Sequence, residues 1–143
     1  MPKVWADGAE LVIVPCGGRK QAITCSAGGM YIGPYHQACR KWAEQYRRVG
    51  GLVLILSAKY GLLKLTDQIE PYNLRMGEKG CVQAHQVREQ AKGMGLLDRS
   101  PLCLGGKEYL RICRVVWPTA KFPMPQVAIG KQLKWLKEHS CSS

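Results

Sequence analysis

The sequence predicts a single α/β domain: a small three- to four-stranded, mostly parallel sheet flanked by helices. Three observations carry that expectation. Short apolar runs alternate with stretches of helical period, which is the pattern of βαβ units. The chain has 143 residues, enough to bury one core, and 46% of them are hydrophobic, as is ordinary for a globular domain. No internal repeat, low-complexity tract or linker rich in Pro, Gly or Ser divides it.

In chain order, residues 1–9 read as a frayed end and the first strand spans about 10–15. A glycine-rich loop occupies 16–29. The helix expected at 34–49 has Tyr35, Cys39, Trp42, Ala43 and Tyr46 on one apolar face, with Arg40, Lys41, Glu44, Arg47 and Arg48 outside. A second strand follows at 52–56 and stops abruptly at Ser57-Ala58-Lys59-Tyr60-Gly61. The stretch 82–94 reads as a helix with Ala84, Val87, Ala91 and Met94 inward, ended by Gly93 and Gly95. A short strand at 101–104 turns through Gly105-Gly106 into a helix at 107–114, and 115–117 reads as a fourth strand. Pro118, Pro123 and Pro125 forbid regular structure, a last helix covers 129–139, and 140–143 fray.

Twenty-one Lys and Arg against ten Asp and Glu leave a formal charge of +11, which favours polyanions such as nucleic acid. No apolar run approaches the roughly eighteen residues that span a bilayer, so no membrane association is expected. The stretch 1–7 is not a secretory signal, and the protein reads as cytoplasmic. Seven cysteines (16, 25, 39, 81, 103, 113 and 141) are odd in number and include no Cys-x-x-Cys pair. They read as reduced thiols, with neither a disulfide framework nor a metal site. No cofactor is expected, and the oligomeric state is not legible.

If the sheet is parallel, its strand ends bring three segments together: Cys16-Gly17-Gly18-Arg19-Lys20, Ser57-Ala58-Lys59-Tyr60-Gly61 and Gly105-Gly106-Lys107-Glu108-Tyr109. Each combines a small residue with a lysine. Gly17 and Gly18 would let backbone amides approach a phosphate that Arg19 and Lys20 neutralise, or form a turn with solvated charges. The spacing is neither a Walker A loop nor a Rossmann fingerprint. Lys59, directly after a buried strand and beside Tyr60, is a candidate amine nucleophile or base if desolvated, and an ordinary surface lysine if not; Lys20 is the alternative amine. Tyr72 and Asn73 suit stacking on and hydrogen bonding to a base, and Tyr31, Tyr60 and Tyr109 can serve similarly or be core. Cys16 beside Arg19 and Lys20 is a candidate low-pKa thiol, whereas His36, His85 and His139 fall on separate helices, away from any cysteine partner in sequence. Lys131, Lys134 and Lys137 form a stripe beside Trp135 that reads as a solvated face or as phosphate contacts.

Tyr60-Gly61-Leu62-Leu63, then Asp67, then Pro71-Tyr72-Asn73-Leu74-Arg75-Met76-Gly77 resembles the signature of the YaaA peroxide-stress family, and in particular of its shorter bacterial and phage relatives. Weaker echoes are Cys16-Gly17-Gly18-Arg19-Lys20, similar to a Cys-Gly-x-x-Lys pattern in those relatives, and 104–109. The resemblance implies a nucleic-acid-related role, with DNA preferred to RNA. It also implies Asp67 as a general base or sugar-orienting group, although an aspartate before a proline equally caps turns. The expectation is a glycosylase- or lyase-like enzyme acting on a nucleobase or its N-glycosidic bond, in DNA or a nucleotide, with Lys20, Lys59, Asp67 and Tyr72 lining one pocket. The competing reading is a non-catalytic DNA-binding protein.

Overall fold

The computed structural model describes residues 9–140. Eleven elements follow in order: β1 (Ala9–Pro15), β2 (Cys25–Ser26), α1 (Ala27–Met30), α2 (Pro34–Tyr46), β3 (Arg47–Ser57), β4 (Gly61–Lys64), β5 (Gln68–Ile69), α3 (Ala84–Gly93), β6 (Leu102–Cys103), α4 (Lys107–Val116) and α5 (Ile129–Glu138). The main sheet has the order β4-β3-β1-β6. β1 runs parallel to both β3 and β6, and β3 is antiparallel to β4. The protein is therefore an α/β domain with a mixed, mostly parallel sheet. A small antiparallel pair, β2 and β5, sits apart from it.

The apolar runs become central strands because both of their faces are covered. Val12, Val14, Val53 and Ile55 point to one side, where Cys39, Trp42, Ala43 and Tyr46 of α2 and Leu136 of α5 complete a core. Leu11, Ile13, Leu54 and Leu56 point to the other, against Val87 and Ala91 of α3 and Leu110, Cys113 and Val116 of α4. The α2 face predicted from helical spacing is the one buried. Proline accounts for two boundaries: Pro15 ends β1, and Pro34 opens α2 at a position where its missing N–H is not needed.

Several assignments differ from expectation, and the loop expected at 16–29 contains β2 and most of α1. Residues 115–117 do not form a strand, because α4 continues through Val116, and Trp117 caps it with its N–H on the Cys113 carbonyl. Val116 in the last turn and the cap residue Trp117 are both buried, and their apolar character is what mimics a strand. The fourth strand is instead Gly61–Lys64, which folds straight back on β3. Likewise α2 ends at Tyr46, and 47–49 already belong to β3. Of the ends expected to fray, 1–8 and 141–143 lie outside the described residues; Ala9 belongs to β1, and the Ser140 hydroxyl donates to the Leu136 carbonyl at 2.6 Å. Cys141 also lies outside them, and the other six cysteines are free thiols. Among the described residues no helix is long and apolar enough to cross a membrane.

Candidate functional site

β1, β3 and β6 are parallel, so the loops after them open at one edge of the sheet. From β1 the chain crosses to β3. From β6 it passes through α4 to the outer edge, where Lys121 bridges to Leu102. The ends of β1 and β6 thus flank the point where the winding reverses, the place where open α/β sheets bind ligands. Gly105 allows the close approach there: its φ is +132°, and a Cβ would come within 2.9 Å of Tyr109 Cβ and 3.3 Å of Pro15 Cβ.

A cavity of about 490 Å3 lies at this edge. It is lined by Cys16, Gly17 and Gly18 after β1, Tyr35 of α2, Leu74, Arg75 and Met76 after β5, Gly106 and Tyr109 around the start of α4, and Val127, Ile129 and Gln132 at the entry to α5. The lining is largely apolar, carries one cation and contains no carboxylate. The Cys16 thiol sits 3.0 Å from the Tyr109 hydroxyl, which also lies 3.4 Å from the Cys16 carbonyl oxygen. Gln132 is fixed by accepting the Tyr35 O–H at 2.7 Å and donating to the Pro125 carbonyl at 3.0 Å.

Beside the cavity, the loop after β1 folds back on residues 30–32 through Gln21 N–H to Met30 O and Ile32 N–H to Arg19 O. This ladder sets Lys20 against two phenols, with Nζ 4.4 Å from the Tyr72 ring centre, 5.9 Å from that of Tyr31 and 3.5 Å from the Gly18 carbonyl oxygen. Burial lowers the Lys20 pKa from its ordinary value; Cys16 opposes the shift and Arg75 adds to it. Ser57 Oγ accepts N–H bonds from Lys59 and Tyr60, at 3.2 and 3.0 Å. Both of its lone pairs are then engaged, so its O–H donates to Tyr72 OH at 2.8 Å. Tyr72 in turn donates to Tyr31 OH at 2.7 Å, which leaves the Tyr31 hydrogen as the spare donor of the chain. Burial pushes the Tyr31 phenol up to about 12 and raises Tyr72 and Tyr109 as well, so all three stay neutral near pH 7. Behind Tyr31, His36 Nδ1 lies 2.7 Å from the Pro15 carbonyl. A carbonyl only accepts, so Nδ1 carries the proton, and Nε2 is a buried acceptor with no partner.

The residues expected to share one pocket do not all meet. Lys20 and Tyr72 do, with Cys16, Gly17, Gly18, Ser57 and Tyr109 around them. Lys59 does not: it stands exposed at the tip of the β3–β4 turn, its Nζ 5.2 Å from the Tyr60 ring centre. The immediate chain reversal after Ser57 turns it outward, where a continuing crossover would have aimed it into the crevice. Asp67 is also elsewhere, because its carboxylate accepts the Lys64 N–H at 2.8 Å and closes the turn between β4 and β5. None of the four residues expected to line the pocket is in the cavity lining itself; Lys20 and Tyr72 pack beside it, with Lys20 Nζ 3.5 Å from the carbonyl oxygen of the lining residue Gly18. The Tyr60 hydroxyl lies 3.3 Å from both the backbone N–H and the carbonyl oxygen of Glu70, with its ring edge-on to Tyr72. Arg19 and Asn73 are exposed, as are Lys131, Lys134 and Lys137 on α5.

Sequence reasoning missed His36, Arg75 and Gln132 as site residues. Arg75 sat inside the recognised 71–77 signature, and Gln132 shares a helical face with buried Leu136, a spacing that points inward. Nothing in the sequence marks His36, whose role depends on the carbonyl it faces.

Fold and site together define a single α/β domain with a ligand-sized cavity at the winding reversal of its sheet. Residues 11–138 match the family described as "Family of unknown function (DUF6884)", and the chain belongs to that family. It is also similar to a Bacillus subtilis (strain 168) protein with the printed name "Uncharacterized protein YfjM", at 30% identity over 131 residues, covering 79% of this chain and 85% of that protein. No solved structure matches.

Proposed function

We propose that this chain is a cytoplasmic enzyme acting on a nucleobase or its N-glycosidic bond, in DNA or in a nucleotide, with Lys20 supplying the reactive amine. The observation that carries the reading is the placement of Lys20. Its amine is partly desolvated against two neutral phenols and lies 3.5 Å from the carbonyl oxygen of Gly18, which lines a largely apolar cavity with no carboxylate in its lining. Lowering the pKa raises the fraction of free amine, which is the nucleophilic form. In a lyase-like course, Lys20 Nζ attacks the anomeric carbon as the glycosidic bond breaks. The departing base keeps that electron pair and takes up the proton that the attacking amine loses. The resemblance of residues 60–77 to the YaaA family signature supports the nucleic-acid side of this reading.

The test is incubation with DNA carrying varied modified bases, and with free nucleotides, followed by mass spectrometry of released bases and products. Lys20→Ala should lower turnover by roughly a hundredfold or more, the usual scale for such groups. Lys59→Ala and Asp67→Asn should stay close to wild type, since the Lys59 side chain is exposed at a turn and the Asp67 carboxylate is taken up by the Lys64 N–H. Borohydride should trap an adduct through Lys20.

The second reading, a non-catalytic DNA-binding module, is favoured by one observation: α5 begins at the cavity mouth with Ile129 and carries exposed Lys131, Lys134 and Lys137. DNA binding with no product from any substrate, unchanged by Lys20→Ala, would select it.

A further inference from the structure

Past Gly106, Val127 and Gln132 the cavity continues into a second recess of about 310 Å3, lined in addition by Lys107, Arg114 and Gln126. Three shared lining residues make the two compartments one site. Their chemistry differs: the first is mainly aromatic and aliphatic, while the second places two cations and an amide around a space that also lacks any carboxylate. Arg114 is steadied by the Phe122 ring, 4.7 Å from its guanidinium carbon. A Cβ on Gly106 would meet nothing within 4 Å, so there is open space beside this shared lining residue. Gln132 lines both compartments and is only 3% exposed. One hydrogen of its Nε2 goes to Pro125, and the second has no acceptor among the described residues. That remaining N–H, on a residue lining both an apolar chamber and a cationic one, is available to a polar ligand atom.

We infer that the joined compartments bind a nucleoside 5′-phosphate, with base and sugar in the larger chamber and the phosphate between Lys107 and Arg114. The inference rests on the nucleobase reading above and adds the phosphate and its place. A phosphate monoester carries about −1.5 to −2 charge at pH 7 and three acceptor oxygens, which match an ammonium, a guanidinium and an amide donor. It also explains why two cations adjoin an otherwise apolar chamber.

Calorimetric titration of the whole chain with the four common nucleosides, their 5′-monophosphates, and single-stranded oligonucleotides with and without a 5′-phosphate tests this. At least one monophosphate should bind about tenfold or more tighter than its nucleoside, the scale of charge-assisted hydrogen bonds. In Lys107→Ala/Arg114→Ala, whose side chains are exposed and not needed for the core, that advantage should shrink to about threefold or less while nucleoside affinity holds. An equal advantage for the 5′-phosphorylated oligonucleotide supports the site with strand ends as its source; an advantage confined to monophosphates supports it with free nucleotides. Nucleosides binding as tightly as monophosphates, or an advantage that survives the double substitution, overturns the phosphate recess alone. If no nucleoside and no nucleotide binds, the nucleobase reading falls with it.

Discussion

His36 shows how the burial of one imidazole makes the fold sensitive to pH. Burial lowers its pKa to about 4, against which the Pro15 carbonyl raises it and Arg40 lowers it further. In the unfolded chain the imidazole takes up a proton near its ordinary value of 6.5, while in the fold it resists protonation until about pH 4. Its stabilising contribution is therefore complete above pH 6.5 and is lost as pH falls from there through about 4, on the order of 2–3 kcal/mol. His36→Asn, whose amide can still donate to Pro15, should flatten the fall in urea midpoint between pH 7 and pH 4.5. Identical slopes in both proteins would assign the acid loss to other groups. Lys20 acts on rate rather than stability: its lowered pKa means that amine-dependent turnover should rise with pH through an inflection below the ordinary 10.5. Lys20→Arg keeps the charge but has no accessible free base, so it should remain inactive across the profile.

Helix α3 and the β3–β4 hairpin are joined through Gln90. Its Oε1 accepts the Leu62 N–H and its Nε2 donates to the Tyr60 carbonyl, both at 2.8 Å. Gly61 makes room for that clamp. It adopts φ +75°, and a Cβ there would collide with the Gln90 side chain. Gln90→Ala should cost about 1–3 kcal/mol by leaving two backbone groups without their partner. Gly61→Ala adds backbone strain to the collision, so it should cost more. In the double variant the collision is gone, and chemical denaturation should show a combined loss smaller than the sum. Strict additivity would mean that the two residues do not meet. The clamp holds Ser57 and Tyr60 at the base of the hairpin, so Gln90→Ala should also weaken the Ser57, Tyr72 and Tyr31 chain.

For the molecule as a whole, a formal charge of +11 sets the interaction with polyanions. Binding to single-stranded DNA should be micromolar or weaker and should fall linearly with the logarithm of salt, because each neutralised phosphate releases counterions. Lys134→Glu/Lys137→Glu removes two exposed cations from α5 without touching either core, so the slope should become shallower by about one to two and the thermal midpoint should not move. Unchanged binding in that variant would exclude α5 from the nucleic-acid surface.

The strands at 10–15 and 52–56, the buried face of α2 and the glycine-lysine loop after β1 were legible along the chain, because each rests on periodicity or local turn chemistry that a short window contains. The hairpin at 61–64 was not, since the chain there reads as a loop until β3 supplies its hydrogen bonds. Nor was the choice between the two amines. Lys20 and Lys59 follow strands in the same way, and only the fold-back of residues 16–32 onto the sheet edge buries one while the hairpin exposes the other. The aspartate was ambiguous for the same reason: whether a carboxylate serves a turn or a ligand depends on which donors surround it. The cavity combines residues from 16 to 132, and its lack of acids is a property of that assembly, because desolvation and hydrogen-bond partners are set by neighbours distant in sequence.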